Sequence, residues 1–217
     1  EAISVLVKVL EDTNQEPMVR HEAAEALGAI GSSEALCILE KHLKDPVVEV
    51  AETCELALER IKWLSSPENG QEVLSENPYK SVDPAPPSES KDVEVLKAVL
   101  LNESATLFAR YRAMFSLRNL RSKEAVMALG AGLKCGSALF RHEIAFVLGQ
   151  MQDERSVPFL KESLEDCQEN EMVRHECAEA LGAIATEECM SVLNKYLADD
   201  KRVVKESCVI ALDMCEY

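Results

Sequence analysis

Only four histidines occur in 217 residues, and three have the same neighbours: Arg20-His21-Glu22, Arg141-His142-Glu143 and Arg174-His175-Glu176. An imidazole beside a carboxylate can move protons or hold a metal ion. One such pair is ordinary on a solvated helix face, but three of four histidines in one local context are not. Two imidazoles with one or two carboxylates are the donor set that suits non-haem Fe(II), with positions left open for oxygen. Zinc fits less well. The His-Glu-x-x-His helix of zinc proteases needs histidine where Glu25, Phe146 and Glu179 stand. The Glu-x-x-His of ferritin-like di-iron bundles is also missing. The fourth histidine, His42, lies in Glu40-Lys41-His42-Leu43-Lys44 and is expected on an exposed helix face.

The elements that must carry these residues are helical. Strand signals are nearly absent, and amphipathic stretches recur with short turns between them. The pattern predicts helices near 2–11, 17–30, 33–43, 46–63, 89–102, 105–120, 122–134, 137–150, 153–166, 171–184, 186–198 and 200–217. Pro17 as a first helical residue and the Gly31-Ser32-Ser33 stop support the cuts. Each His-Glu pair falls near the start of the second helix of a hairpin. At about 100° per residue, Val19, Ala23, Ala26, Leu27 and Ile30 share one stripe, expected to be buried. His21 lies about 200° from Val19, beside Ala24 and Gly28, whose small size would leave room for a group to approach the ring. Phe140, Ile144, Val147, Leu148 and Met151 give His142 the same setting.

Self-alignment explains the recurrence. Residues 18–30 match residues 172–184 at 12 of 13 positions, an offset of 154. The same offset carries Glu52-Thr53-Cys54 onto Glu206-Ser207-Cys208. A shorter period of 31–33 residues, with two helices per unit, runs inside each half, the signature of an α-solenoid. The expected fold is therefore an all-α solenoid of helical hairpins in two pseudo-symmetric halves, 1–64 and 93–217, joined by a proline-rich linker over 65–92. Residues equivalent to His142-Glu143 in the first half would precede Glu1. By symmetry with the four hairpins of 93–217, the first half is expected to lack about two hairpins and one His-Glu pair, as a fragment or shortened variant would. Stacking places equivalent residues of neighbouring repeats on one surface, so His142, Glu143, His175 and Glu176 can converge.

Composition narrows the class. Hydrophobic residues at 47% describe a folded chain. A formal charge of −16 argues against nucleic-acid binding and suits a basic protein partner. No apolar run approaches the ~20 residues that span a membrane, and no signal peptide opens the chain. Eight scattered cysteines without Cys-x-x-Cys, half of them in helical apolar patterns, fit a reduced, cytoplasmic protein.

The paired Val-Arg-His-Glu-x-Ala-Glu-Ala-Leu-Gly-Ala-Ile segments, the Phe140–Glu143 segment and Ser81-Val82-Asp83-Pro84-Ala85-Pro86-Pro87 resemble the deoxyhypusine hydroxylase family over essentially the whole chain. The resemblance implies a HEAT-repeat monooxygenase with a di-iron Fe(II) centre held by four His-Glu pairs between two halves. It further implies that His21, Glu22, His142, Glu143, His175 and Glu176 are metal ligands and that Glu143 also holds the substrate amine as a catalytic, substrate-binding group. The implied reaction is hydroxylation of the deoxyhypusine side chain of translation initiation factor 5A, using O2 and a reductant, by a monomer with no nucleic-acid or membrane partner. With one pair outside the sequence, these residues alone are expected to be impaired. The alternatives are a non-catalytic HEAT-repeat scaffold and a HEAT-like bilin lyase. Neither requires histidine at one register.

Overall fold

The computed structural model describes residues 1–215, the side chain of Glu68 excepted. Among them are twelve α-helices and no strand. They form six antiparallel hairpins: α1 (Ala2–Glu11) with α2 (Pro17–Ile30), α3 (Leu36–His42) with α4 (Val48–Ser65), α5 (Val93–Leu101) with α6 (Leu107–Leu120), α7 (Lys123–Gly132) with α8 (Ala138–Met151), α9 (Val157–Glu165) with α10 (Glu171–Ile184), and α11 (Glu187–Lys195) with α12 (Arg202–Cys215). This is the α-solenoid expected from the repeat. Short 3-10 turns open the segments leading into α3 and α9. The helix predicted from 89 begins only at Val93, capped by the Asp92 carboxylate. The last predicted helix ran to 217, and its final two residues lie outside the described residues.

The second helix of each hairpin contacts the second helices on either side, which explains its composition. A Cβ on Gly28 would lie 2.7 Å from Ala57 Cβ, and one on Gly182 2.6 Å from Ala211 Cβ. The glycines thus let α2 approach α4, and α10 approach α12, at near backbone contact. The expected role for Gly28, space beside the His21 ring, is corrected: Ala57 fills that space. The expected stripe is corrected too. Val19 and Ile30 are exposed, whereas His21, Ala24 and Gly28 are buried. A single-stripe wheel assumes one packed face, and a solenoid's inner helix has more than one.

His42 is likewise not exposed. It is 7% accessible, and its Nδ1 lies 2.8 Å from Ile38 O on its own helix. Cys54, Cys177, Cys189 and Cys208 are buried, half of the eight cysteines.

Arginine locks the hairpins. Arg20 Nε donates to Leu10 O at 2.9 Å and its two terminal nitrogens grip Asp45 at 3.2 and 2.5 Å. Arg174 repeats this on Leu164 O and Asp199. Arg20 and Arg174 therefore tie a carbonyl near the end of the preceding helix to the turn before the next repeat's second helix, whereas Arg141 grips Glu169 and Gly136 O instead.

The proline-rich stretch is pinned rather than loose. Arg118, fully buried, donates to both Asp83 oxygens at 2.8 and 2.7 Å. Arg60 of α4 donates to Asp83 O and to Gly28 O. Ala85, Pro86 and Pro87 are buried. The buried apolar residues form two clusters, one built by α1–α4 and a larger one that includes Leu56 of α4 and Ala85. Helix α4 thus serves both cores.

Candidate metal centre

Three imidazoles meet inside the molecule. The His142 ring centroid lies 5.4 Å from that of His175 and 5.9 Å from that of His21. They come from α8, α10 and α2, at equivalent positions in three hairpins. His21 is 1% accessible, His142 and His175 8% each. Each ring has been carried inward by the face that packs between second helices.

Of the expected ligands, the structure brings donor atoms of His142, His175 and Glu176 within 4.8 Å of one another. His142 Nε2 lies 3.3 Å from Glu176 Oε2. His21 joins the group through its contact with the His142 ring. Glu22 sits at the rim, 3.7 Å from His21 Nε2 and with a side chain 66% accessible. Glu143 is buried as well, outside that group of three. It lines a cavity of about 10 Å³, the space of one water, together with Glu25, Thr53, Tyr111 and Asp83. On the other side Glu176 and Glu179 line an open groove of about 550 Å³ shared with Tyr79, Arg121 and Phe146.

Three residues of the site escaped the sequence reading. Glu25 and Glu179 stand four residues after His21 and His175, on the same helix face, a spacing that could have exposed them. Ser207 of α12 occupies the position that Glu176 holds one repeat earlier. Its hydroxyl lies 3.4 Å from His175 Nδ1 and donates to Glu179 Oε1 at 3.0 Å.

The electrostatics follow from burial. Burial, together with the charges of His142 and His175, depresses His21 to about 3, so its ring stays neutral and able to donate a lone pair. For His142 burial opposes the proton, but the Glu176 hydrogen bond and the charges of Glu176, Glu22 and Glu25 outweigh it and raise the pKa. Burial and neighbouring carboxylates push Glu25 up to about 7 and Glu143 well above the usual carboxylate range.

The residues fit a metal. His21 Nδ1, His142 Nδ1 and His175 Nε2 are buried without a hydrogen-bond partner. A buried, unpaired ring nitrogen costs free energy. Imidazoles left with unpaired nitrogens, clustered beside carboxylates, are a donor set that a bound cation would use. Imidazole and carboxylate together suit a divalent transition metal.

Fold and site together define a HEAT-repeat protein with an interior His/carboxylate cluster. The chain matches the HEAT repeats family over residues 1–59 and 126–213, and the PBS lyase HEAT-like repeat over 109–135. It is 66% identical to the deoxyhypusine hydroxylase of Drosophila melanogaster and 59% identical to that of Homo sapiens, covering all of this chain and 71% and 70% of those proteins. The solved structure of human deoxyhypusine hydroxylase in complex with glycerol superposes with a TM-score of 0.94 at 58% identity, over 99% of this chain and 73% of that one. The chain belongs to the deoxyhypusine hydroxylase family, a family of enzymes.

Proposed function

We propose that the protein is a deoxyhypusine monooxygenase acting on the deoxyhypusine side chain of translation initiation factor 5A, with O2 and a reductant, at a di-iron centre. The observation that carries this reading is the convergence of three register-equivalent imidazoles whose buried nitrogens lack protein partners. Bound Fe(II) would supply the oxygen chemistry that an unactivated C–H bond demands and that side chains cannot provide.

The ligands proposed are His21, Glu22, His142, Glu143, His175 and Glu176. Burial of the three imidazoles, Glu143 and Glu176 limits the access of bulk water to the centre. Glu143 receives the substrate amine: its buried carboxyl favours the neutral form when alone, and an arriving ammonium restores its charge as acceptor. A surplus of 39 acidic over 23 basic residues favours a basic partner surface. No helix among the described residues is long and apolar enough to cross a membrane. With the cysteines unpaired, a cytoplasmic monomer is the setting proposed.

Losing even a supporting partner of a ligand costs ~10–100-fold in affinity or activity. Elemental analysis of iron in the wild type, His142→Ala and His175→Ala tests the reading. Iron present in the first and lost in both variants is expected. Iron content untouched by the substitutions would instead favour a helical scaffold.

A further inference from the structure

The two copies of the duplicated helix treat their histidines differently. Beside α10, Ser207 of α12 donates its one hydroxyl proton to Glu179 Oε1 at 3.0 Å. Toward His175 Nδ1, 3.4 Å away, that oxygen can therefore only accept. Glu179 Oε1, 3.5 Å from the same nitrogen, is also an acceptor. Both neighbours call for hydrogen on Nδ1, which leaves the lone pair on Nε2, the buried atom without a partner.

In α2 the equivalents are present and not engaged. Glu25 corresponds to Glu179 and Thr53 to Ser207, each at the offset of 154. Yet the Thr53 hydroxyl donates back to Glu49 O on its own helix at 2.7 Å. His21 Nδ1 is left without any partner, and Glu25 turns to the cavity lined by Glu143. Near-identical sequence thus supports one imidazole and leaves the other unsupported.

We propose that Glu179 and Ser207 are positioning residues that set the tautomer and orientation of His175, and that metal binding therefore fills the His175 side of the centre before the His21 side. The inference rests on the metal-binding reading above. A carboxylate behind a ligating imidazole fixes its orientation and raises its basicity. Thr53 and Glu25 do neither for His21.

Titration of the metal-free full chain with Co(II), followed by calorimetry and by the visible bands of the bound ion, tests it. The Glu179 side chain is 37% accessible, so its replacement need not disturb the core. Glu179→Ala and Ser207→Ala are expected to weaken the first binding event about 10–100-fold, with the metal-free melting temperature of Glu179→Ala unchanged. Glu179→Gln, whose carbonyl still accepts from Nδ1–H, is expected to recover part of the loss. Glu25→Ala and Thr53→Ala are expected to leave the first event alone. Equal weakening by all four replacements, or a loss in Glu179→Ala that follows its melting temperature and is not recovered by glutamine, overturns the proposal. A wild type that takes up no Co(II) overturns the metal reading beneath it.

Discussion

Within each Arg-His-Glu triplet the arginine and the histidine have separate tasks. Arg174, 2% accessible, ties Leu164 O to the Asp199 carboxylate, while the adjacent His175 enters the cluster. Removing one partner of a buried ion pair strands the other, so Arg174→Ala is expected to cost about 3–5 kcal/mol in urea unfolding. Acid should expose the same pair. The Arg174 hydrogen bonds hold Asp199 below the usual aspartate value; Asp45 is also lowered, with burial opposing and Arg20 prevailing. Because the folded value is depressed, the unfolded chain binds the proton more readily. The contribution is then complete above the unfolded aspartate pKa, about 3.9, and is lost as pH falls through the folded value. Melting temperatures measured from pH 6 downward should fall in this window less steeply for Asp199→Asn than for the wild type, because the variant lacks the carboxyl that takes up a proton on unfolding.

At the scale of the helix, the Ala-Leu-Gly-Ala-Ile run is a crossing point. Gly182→Ala would set a methyl group 2.6 Å from Ala211 Cβ and 2.7 Å from Ala211 Cα. Helix α12 must then move, and a cost of about 1–3 kcal/mol is expected by denaturant unfolding. Gly70→Ala, with nothing within 4 Å of the new atom, is the matching control and should show no such steric cost. Helix existence was legible in sequence because Pro17, Gly31 and the apolar spacing are local signals. The burial of His21 was not, since it depends on α8 and α10, which are more than a hundred residues away. His42 misled for a related reason: lysines on both sides suggest solvent, yet its own helix and the first core cover the ring. Conversely, the convergence of His142 and His175 was readable from the repeat period, which fixes how neighbouring hairpins align. Ser207 was passed over because a serine in place of a glutamate looks inert until the facing His175 is in view.

At the scale of the whole molecule, the proline-rich stretch is a strut. Asp83 is held by Arg118 of α6 on one side and by Arg60 of α4, through its carbonyl, on the other. Proline content marked the stretch as irregular, but no local rule points Asp83 at an arginine thirty-five residues on. Asp83→Ala should leave buried Arg118 without its carboxylate partner and loosen residues 65–92 from the body. Limited proteolysis is expected to cleave that stretch faster in the variant, while far-UV circular dichroism of the uncut protein stays helical. Slow cleavage matching the wild type would show that the apolar burial of Ala85–Pro87 suffices. The 5.9 Å contact between His21 and His142 has a further consequence. Those rings belong to opposite sides of the strut, so the proposed ion, were it to grip both, would work as a rivet between them. Its free concentration then enters the folding equilibrium: at one hundred times the dissociation constant it adds about 2.7 kcal/mol, a margin that a chelator takes away. On that proposal, starvation for the ion would shorten the lifetime of the protein.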